Sequence, residues 1–283
     1  MKIKTCGTIS GTAASLALLA FGFSGASAFA AATASDTAGN YVSSGWNSTP
    51  ANNGTGFGAW SINVENNDGP PYAGTYLAGS GNTPIVDASG NAWGTYANSA
   101  QGTTLPSVIF TRPFTAGASG SSSLFDQTFS FDMGSGGVGP GQGLLSAGIG
   151  SAFLLEYNGL ASGDNMFLGV DGATPQSIAV DFSQLSAGLN VSLAVNGAVN
   201  SPAENYIFTI TPFAGGAAIF TQSGTFDSST YNTSQFQFTD SNTTGNGYFN
   251  TLNLSVETVP EPSSIALFGM SGLGMLFAFR RRK

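Results

Sequence analysis

Between Leu124 and Met133 apolar and polar side chains change places almost residue by residue. Phe125, Phe129, Phe131 and Met133 share one parity, and Asp126, Thr128, Ser130 and Asp132 the other. A period of two marks a strand with one buried face and does not fit a helix, whose apolar stripe recurs every three to four residues. The pattern returns in Leu189, Val191, Leu193 and Val195, in Leu252, Leu254 and Val256, and in Trp60, Ile62 and Val64. Turn signals separate such runs: Asn67-Asp68-Gly69-Pro70-Pro71, Ser89-Gly90-Asn91, Asn158-Gly159, Asp171-Gly172, Asn196-Gly197 and Gly215-Gly216. Asn196-Gly197 is expected to close a tight hairpin. About a dozen short strands and no amphipathic helix between the chain ends predict an all-β protein, a β-sandwich or jelly roll. No fixed-period repeat points to a propeller or β-helix.

Positive charge is almost confined to the ends. Of seven basic residues, six are Lys2, Lys4, Arg280, Arg281, Arg282 and Lys283, which leaves Arg112 against fourteen acids between Ser35 and Val259. A body so acidic has no means of neutralising phosphates, so nucleic acid is excluded as a partner. Met1 to about Ala34 has the order of a secretory signal: Lys2 and Lys4, an apolar stretch from Ala13 to Phe23, then Ala26-Ser27-Ala28 or Ala28-Phe29-Ala30 for cleavage. Cys6 is lost with it, so the exported chain has neither disulfide nor thiolate metal site. The expected organisation is a signal helix over 1–34, a loose polar lead-in over 35–53, a single sandwich domain over 54–258 and a C-terminal segment over 259–283. Ala116 to Ser123 is expected to be a Gly/Ser loop.

The C-terminal segment has three parts in order: Pro260-Glu261-Pro262, an apolar run, and the basic end Arg280-Arg281-Arg282-Lys283. Ile265 to Phe279 spans only roughly 22 Å as a helix, against roughly 30 Å of hydrocarbon. Taken as a transmembrane helix over 264–279, it is short and weakened by Gly269, Gly272 and Gly274. The basic end stays cytoplasmic under the positive-inside rule, which puts Pro260, Glu261 and Pro262 at the outer face. This arrangement resembles the PEP-CTERM sorting signal of exopolysaccharide-producing Gram-negative bacteria. The resemblance implies exosortase as a partner, acting near Pro260-Glu261-Pro262, and a transient anchor. The stretch from Gly54 to Ile62, the Gly-rich loop around Gly136, and the final Gly-Tyr-Phe-Asn-Thr-Leu-Asn-Leu are similar to bodies paired with this signal, and imply a concanavalin-like sandwich.

The body offers little to catalysis. The chain has no histidine, which removes Ser-His-Asp and Cys-His chemistry and histidine-bound metals. No pair of Asp-Thr/Ser-Gly segments and no closely spaced carboxylate strand occurs, and Glu65, Glu156, Glu204 and Glu257 are far apart in sequence. Gly134-x-Gly136-x-x-Gly139 spells a dinucleotide fingerprint but runs into Pro140 and more loop rather than a helix, so it is expected to be a glycine loop between strands. No cofactor is expected. Asp240 and Asn242 open a calcium-loop pattern that lacks its closing glutamate, since Thr251 stands there; Asp164, Asn165 and Asp171 are further oxygen donors. Arg112 is expected to pair with a carboxylate such as Asp132 or to reach a loop carbonyl, with a ligand carboxylate as the sharper alternative.

Trp46, Trp60 and Trp93, with Tyr72, Tyr76 and Tyr96, are the candidates for a flat sugar-stacking surface. Trp60 alternates with apolar neighbours and is expected inside, whereas Trp46 and Trp93 lie in polar surroundings and are the expected glycan contacts. The expectation is a non-enzymatic structural or adhesive protein of the envelope or exopolysaccharide matrix. Its rivals are a lectin-like glycan-binding module and a carboxylate-based glycan hydrolase.

Overall fold

The computed structural model describes residues 32–65, 72–98, 106–114, 124–159, 163–198, 204–227, 235–242 and 245–258. The expected signal helix, the membrane segment, Pro260-Glu261-Pro262, the basic end, the turn around Asn67 and the Ala116–Ser123 loop lie outside these residues. The described chain forms fifteen strands: β1 (Ala32–Asp36), β2 (Ser61–Glu65), β3 (Ala73–Gly79), β4 (Asn91–Ala97), β5 (Ser107–Pro113), β6 (Leu124–Gly136), β7 (Gly143–Ile149), β8 (Phe153–Asn158), β9 (Asn165–Val170), β10 (Gln176–Asp181), β11 (Leu189–Ala198), β12 (Glu204–Pro212), β13 (Phe220–Phe226), β14 (Gln235–Asn242) and β15 (Asn246–Thr258).

They build two antiparallel sheets. The first runs β13-β12-β11-β6-β15-β4-β3, with β1 also on β15; the second runs β10-β9-β8-β7-β14-β5-β2. The sheets share one core, to which β6 gives Phe129, Phe131 and Met133, β11 gives Leu189, Val191, Leu193 and Val195, and β14 gives Phe236 and Phe238. The alternation that predicted these strands is therefore the inner face of a sandwich.

Four local expectations change. The stretch 35–53 is not a loose lead-in. β1 pairs with β15 from Ala32↔Val256 to Asp36↔Leu252, and a 3₁₀ turn over Ala38–Tyr41 buries the Tyr41 ring. Among the described residues the sandwich thus begins at Ala32, inside the expected signal boundary, and either predicted cleavage site leaves β1 whole. β15 carries a bulge against β6 between Asn250 and Asn253, where Thr251 adopts a φ of 51°. Before the bulge β15 pairs with β4, after it with β1.

Asn196-Gly197 does not turn, because β11 runs on to Ala198 with Asn196 paired to Asn205. Gly134 and Gly136 belong to β6, and loop begins only at Gly137. One short helix, α1 (Phe182–Ala187), appears between β10 and β11. Asp181 accepts from the Gln184 amide at 2.9 Å, and Gln184 Oε1 accepts from the Asp181 amide at 2.9 Å, a reciprocal cap.

Candidate functional site

The three tryptophans lie together in the core. Their ring centroids are 5.3 Å (Trp46–Trp60), 5.4 Å (Trp60–Trp93) and 5.5 Å (Trp46–Trp93) apart. Phe110 stacks on Trp46 at 12°, Phe249 covers Trp93 at 5.0 Å, and the Tyr41 edge meets both. Trp60 is inside as expected, but so are Trp46, 4 % exposed, and Trp93, 0 % exposed. Neither can present a ring to a sugar, which corrects their assignment as glycan contacts. Trp93 occupies an inward position of β4, and the folded 35–53 stretch carries Trp46 in beside it.

Arg112 is the ionic centre of this core. It pairs with Asp36, not with Asp132, and both side chains are wholly buried. Its Nε donates to Gly58 O at 3.0 Å, and its two terminal nitrogens donate to Tyr41 Oη at 3.2 Å and Asn52 Oδ1 at 2.8 Å. The guanidinium also lies 4.8 Å from the Trp60 ring and 5.1 Å from Phe57. Tyr41 donates to Asp36 Oδ2 at 2.7 Å and accepts from Trp60 Nε1 at 3.0 Å. Burial lowers the Arg112 pKa to about 10, still charged at neutral pH, and pushes the Tyr41 hydroxyl up. With four acceptors around its donors and two rings beside it, Arg112 is structural. Asp132 instead accepts from Asn190 at 2.8 Å, and burial raises its pKa.

Asp240 also turns inward. It sits on β14 in the second sheet, yet its Oδ2 meets Thr95 Oγ1 on β4 and accepts from the Gly247 amide on β15 at 3.2 Å, so it bridges the two sheets. Its Oδ1 has no partner among the described residues, and burial pushes its pKa up to about 7. Thr95 Oγ1, the donor to Oδ2, also lies 3.2 Å from Gly247 O. The Asp240 carboxyl is turned away from an oxygen-rich loop, which corrects Asp240 as a calcium candidate. Asn242, its proposed companion, ends the same strand. Asp171 takes the Asp227 amide at 3.1 Å, and no three acids converge among the described residues.

The aromatic surface lies elsewhere. On the outer face of the first sheet β3 and β4 pair as Gly74↔Tyr96, Thr75↔Thr95 and Tyr76↔Gly94. Two Gly-Thr-Tyr triplets thus face each other head to tail, and each tyrosine ring lies across the other strand's glycine. A Cβ on Gly94 would stand 2.8 Å from Tyr76 Cζ, and one on Gly74 2.7 Å from Tyr96 Cζ. Only glycine lets the rings lie this close to the sheet.

Tyr248, on β15, repeats the device over Gly136 and receives the Tyr76 hydroxyl at 3.0 Å. Tyr248 is buried, whereas Tyr76 and Tyr96 remain partly exposed, their centroids 6.3 Å apart at 43°. Burial and the bond to Tyr248 raise the Tyr76 pKa, so the hydroxyl stays protonated at physiological pH. Asn246, partly exposed, borders the rings and donates to Tyr248 Oη at 3.4 Å. The result is a low-charge aromatic platform with amide and hydroxyl groups at its rim. Sequence reasoning named Tyr76 and Tyr96 only beside the tryptophans; the repeated Gly-Thr-Tyr is the signal that sets them apart.

Residues 258–283 match the PEP-CTERM protein-sorting motif. The motif therefore starts at the last residue of β15, a strand held on both sides by β6 and β1. No curated protein matches the chain. Among solved structures, the chain is similar to a lectin from Bauhinia forficata in complex with GalNAc, at 10 % identity and a TM-score of 0.38 over 71 % of this chain and 100 % of that one. It is similar to lectin I-B4 from Griffonia simplicifolia in its metal-free form, at 11 % identity and a TM-score of 0.38 over 69 % and 92 %. Arcelin-5, a lectin-like defense protein from Phaseolus vulgaris, gives 10 % identity and a TM-score of 0.36 over 71 % and 98 %.

Proposed function

We propose that this is an exported, non-enzymatic contact protein, sorted through its C-terminal motif to the cell envelope or its exopolysaccharide matrix, where its body acts structurally or adhesively. The sorting motif supports the address, with exosortase as processing partner near Pro260-Glu261-Pro262 and the apolar run as transient anchor. A non-enzymatic role is supported by the fate of the core acids: Asp36, Asp132 and Asp240 are each buried and committed to different internal partners. The observation that carries the contact function is the Tyr76/Tyr96 platform, which offers ring faces and rim hydrogen-bond groups to an uncharged surface such as a polysaccharide. It takes the place first given to Trp46 and Trp93.

The test is retention of the whole chain on the producing cell's own polysaccharide. Replacing both tyrosines, Tyr76→Ala with Tyr96→Ala, is expected to weaken retention about tenfold, the scale of one or two lost ring contacts. Unchanged retention rules the platform out. Glu261→Ala is expected to leave the tail attached, read as intact mass of the surface form; wild-type protein that retains Met270 and Phe279 contradicts processing.

A further inference from the structure

We propose that the body carries a second site for an uncharged sugar ring, on the face opposite the tyrosines, and so ties two polysaccharide chains together. This rests on the contact function proposed above and specifies how that contact is structural. The site is a shallow groove of about 390 Å³ on the outer face of the second sheet. Its floor is the cross-strand row Gln237, Gly148, Leu154 and Gly169. One wall is the turn after β9, where Asp171 and Gly172 both have positive φ and bring Thr174 and Pro175 over the sheet edge.

Glycine at Gly169 lets this turn pack close against the floor, while Gly148 lies beside the turn between β7 and β8. A Cβ on Gly169 would stand 3.2 Å from Ala173 O and 3.3 Å from Pro175 Cγ, and one on Gly148 3.4 Å from Phe153 O. At one end lies Ser146, on the outward parity of β7 between Thr239 and Glu156. It is only 7 % exposed, it lines the groove, and its hydroxyl has no partner among the described residues. That hydroxyl reaches solvent in the groove, where a ligand group can take the place of water.

The lining chooses the ligand class. Ser146, Ser151, Thr174 and Gln237 supply hydroxyl and amide groups, Leu154 and Pro175 an apolar surface, and no charged side chain lines the groove. A sugar ring has this mixed character, with C–H faces and a rim of hydroxyls. An acidic sugar would find no cation, since Arg112 is spent in the core, and an uncompensated charge is expensive to bury. The volume is near the lower end for ligand pockets, which fits one or two rings rather than a long stretch of polymer. Because the two outer faces of a sandwich point away from each other, the groove and the platform engage different chains.

The experiment uses the whole chain in a detergent without sugar headgroups, mixed with dextran, a soluble β-1,3-glucan or galactomannan. Retention on each glycan reports binding, and light scattering against protein-to-glycan ratio reports cross-linking. Wild type is expected to bind at least one glycan and give scattering that rises and then falls as protein comes into excess. Gly169→Val, which pushes against the Ala173–Pro175 wall and deforms the groove, and the milder Ser146→Ala, which removes only the hydroxyl, are expected to retain that glycan within about tenfold of wild type. Gly169→Val should lose the scattering peak and Ser146→Ala should lower it. Binding without scattering in wild type, or an unchanged peak in both groove variants, overturns the second site and leaves the contact function standing. Absence of retention on all three glycans and on the producing cell's own polysaccharide overturns the contact function itself, and the second site with it.

Discussion

Trp93 and Tyr96 stand three residues apart on β4, in the same run of small and polar neighbours, yet one is sealed in the core and the other partly faces solvent. Parity separates them, since an odd offset on a strand reverses the face. What lies across the ladder then decides the ring's posture. Trp93 meets Leu77 on β3 and packs under Phe249, whereas Tyr96 meets Gly74 and spreads over it. Local polarity of sequence is a poor guide to exposure where one side of the same strand is core.

The largest effect is expected from removing what holds the inner aromatics. Arg112→Ala strands the buried Asp36 carboxylate and is expected to cost about 3–5 kcal/mol in denaturant unfolding of the whole chain, whereas an exposed arginine would cost less than about 1 kcal/mol. Asp36→Leu with Arg112→Met should recover most of that loss.

Asp240 gives the next effect. Its folded pKa of about 7 lies above the ordinary value of about 3.9, so between those pH values the folded chain keeps a proton that the unfolded chain has released. Its contribution is therefore fully present below about pH 4, declines as pH rises to about 7 and is flat beyond, by on the order of 1 kcal/mol per pH unit. Asp240→Asn should differ from wild type by the absence of that slope; parallel stability curves would deny the buried acid.

The smallest effect sharpens the outer half of the comparison. Gly94→Ala drives a methyl into the Tyr76 ring and is expected to cost about 1–3 kcal/mol and displace the platform. Gly81→Ala, where nothing lies within 4 Å, should stay within about 0.5 kcal/mol. Equal costs would mean the rings do not lie on the glycines.

The sandwich was legible because its strands bury one face each and the alternation survives in β6, β11 and β15. The N-terminal part was not, since 35–53 is polar in composition and its order comes from distant partners: β15 across the bulge and Arg112 seeking a counter-charge. Asn196-Gly197 carries a strong turn signal, but pairing with β12 on one side and β6 on the other holds it extended. The α1 cap was written in Asp181 and Gln184, at the spacing of a reciprocal cap, and went unseen because the helix is a single short turn without a stripe. Of the site, the residue types were visible and their faces were not, since strand parity cannot be assigned around Trp93-Gly94-Thr95-Tyr96 until the partner strand is known.

Tryptophan emission tests the central claim most directly, because Trp46, Trp60 and Trp93 are the chain's only tryptophans and all belong to one cluster. Short-wavelength emission is expected, barely reduced by soluble quenchers and unchanged as the protein saturates with polysaccharide. Long-wavelength emission open to quencher, or a change that follows glycan binding, would contradict that claim.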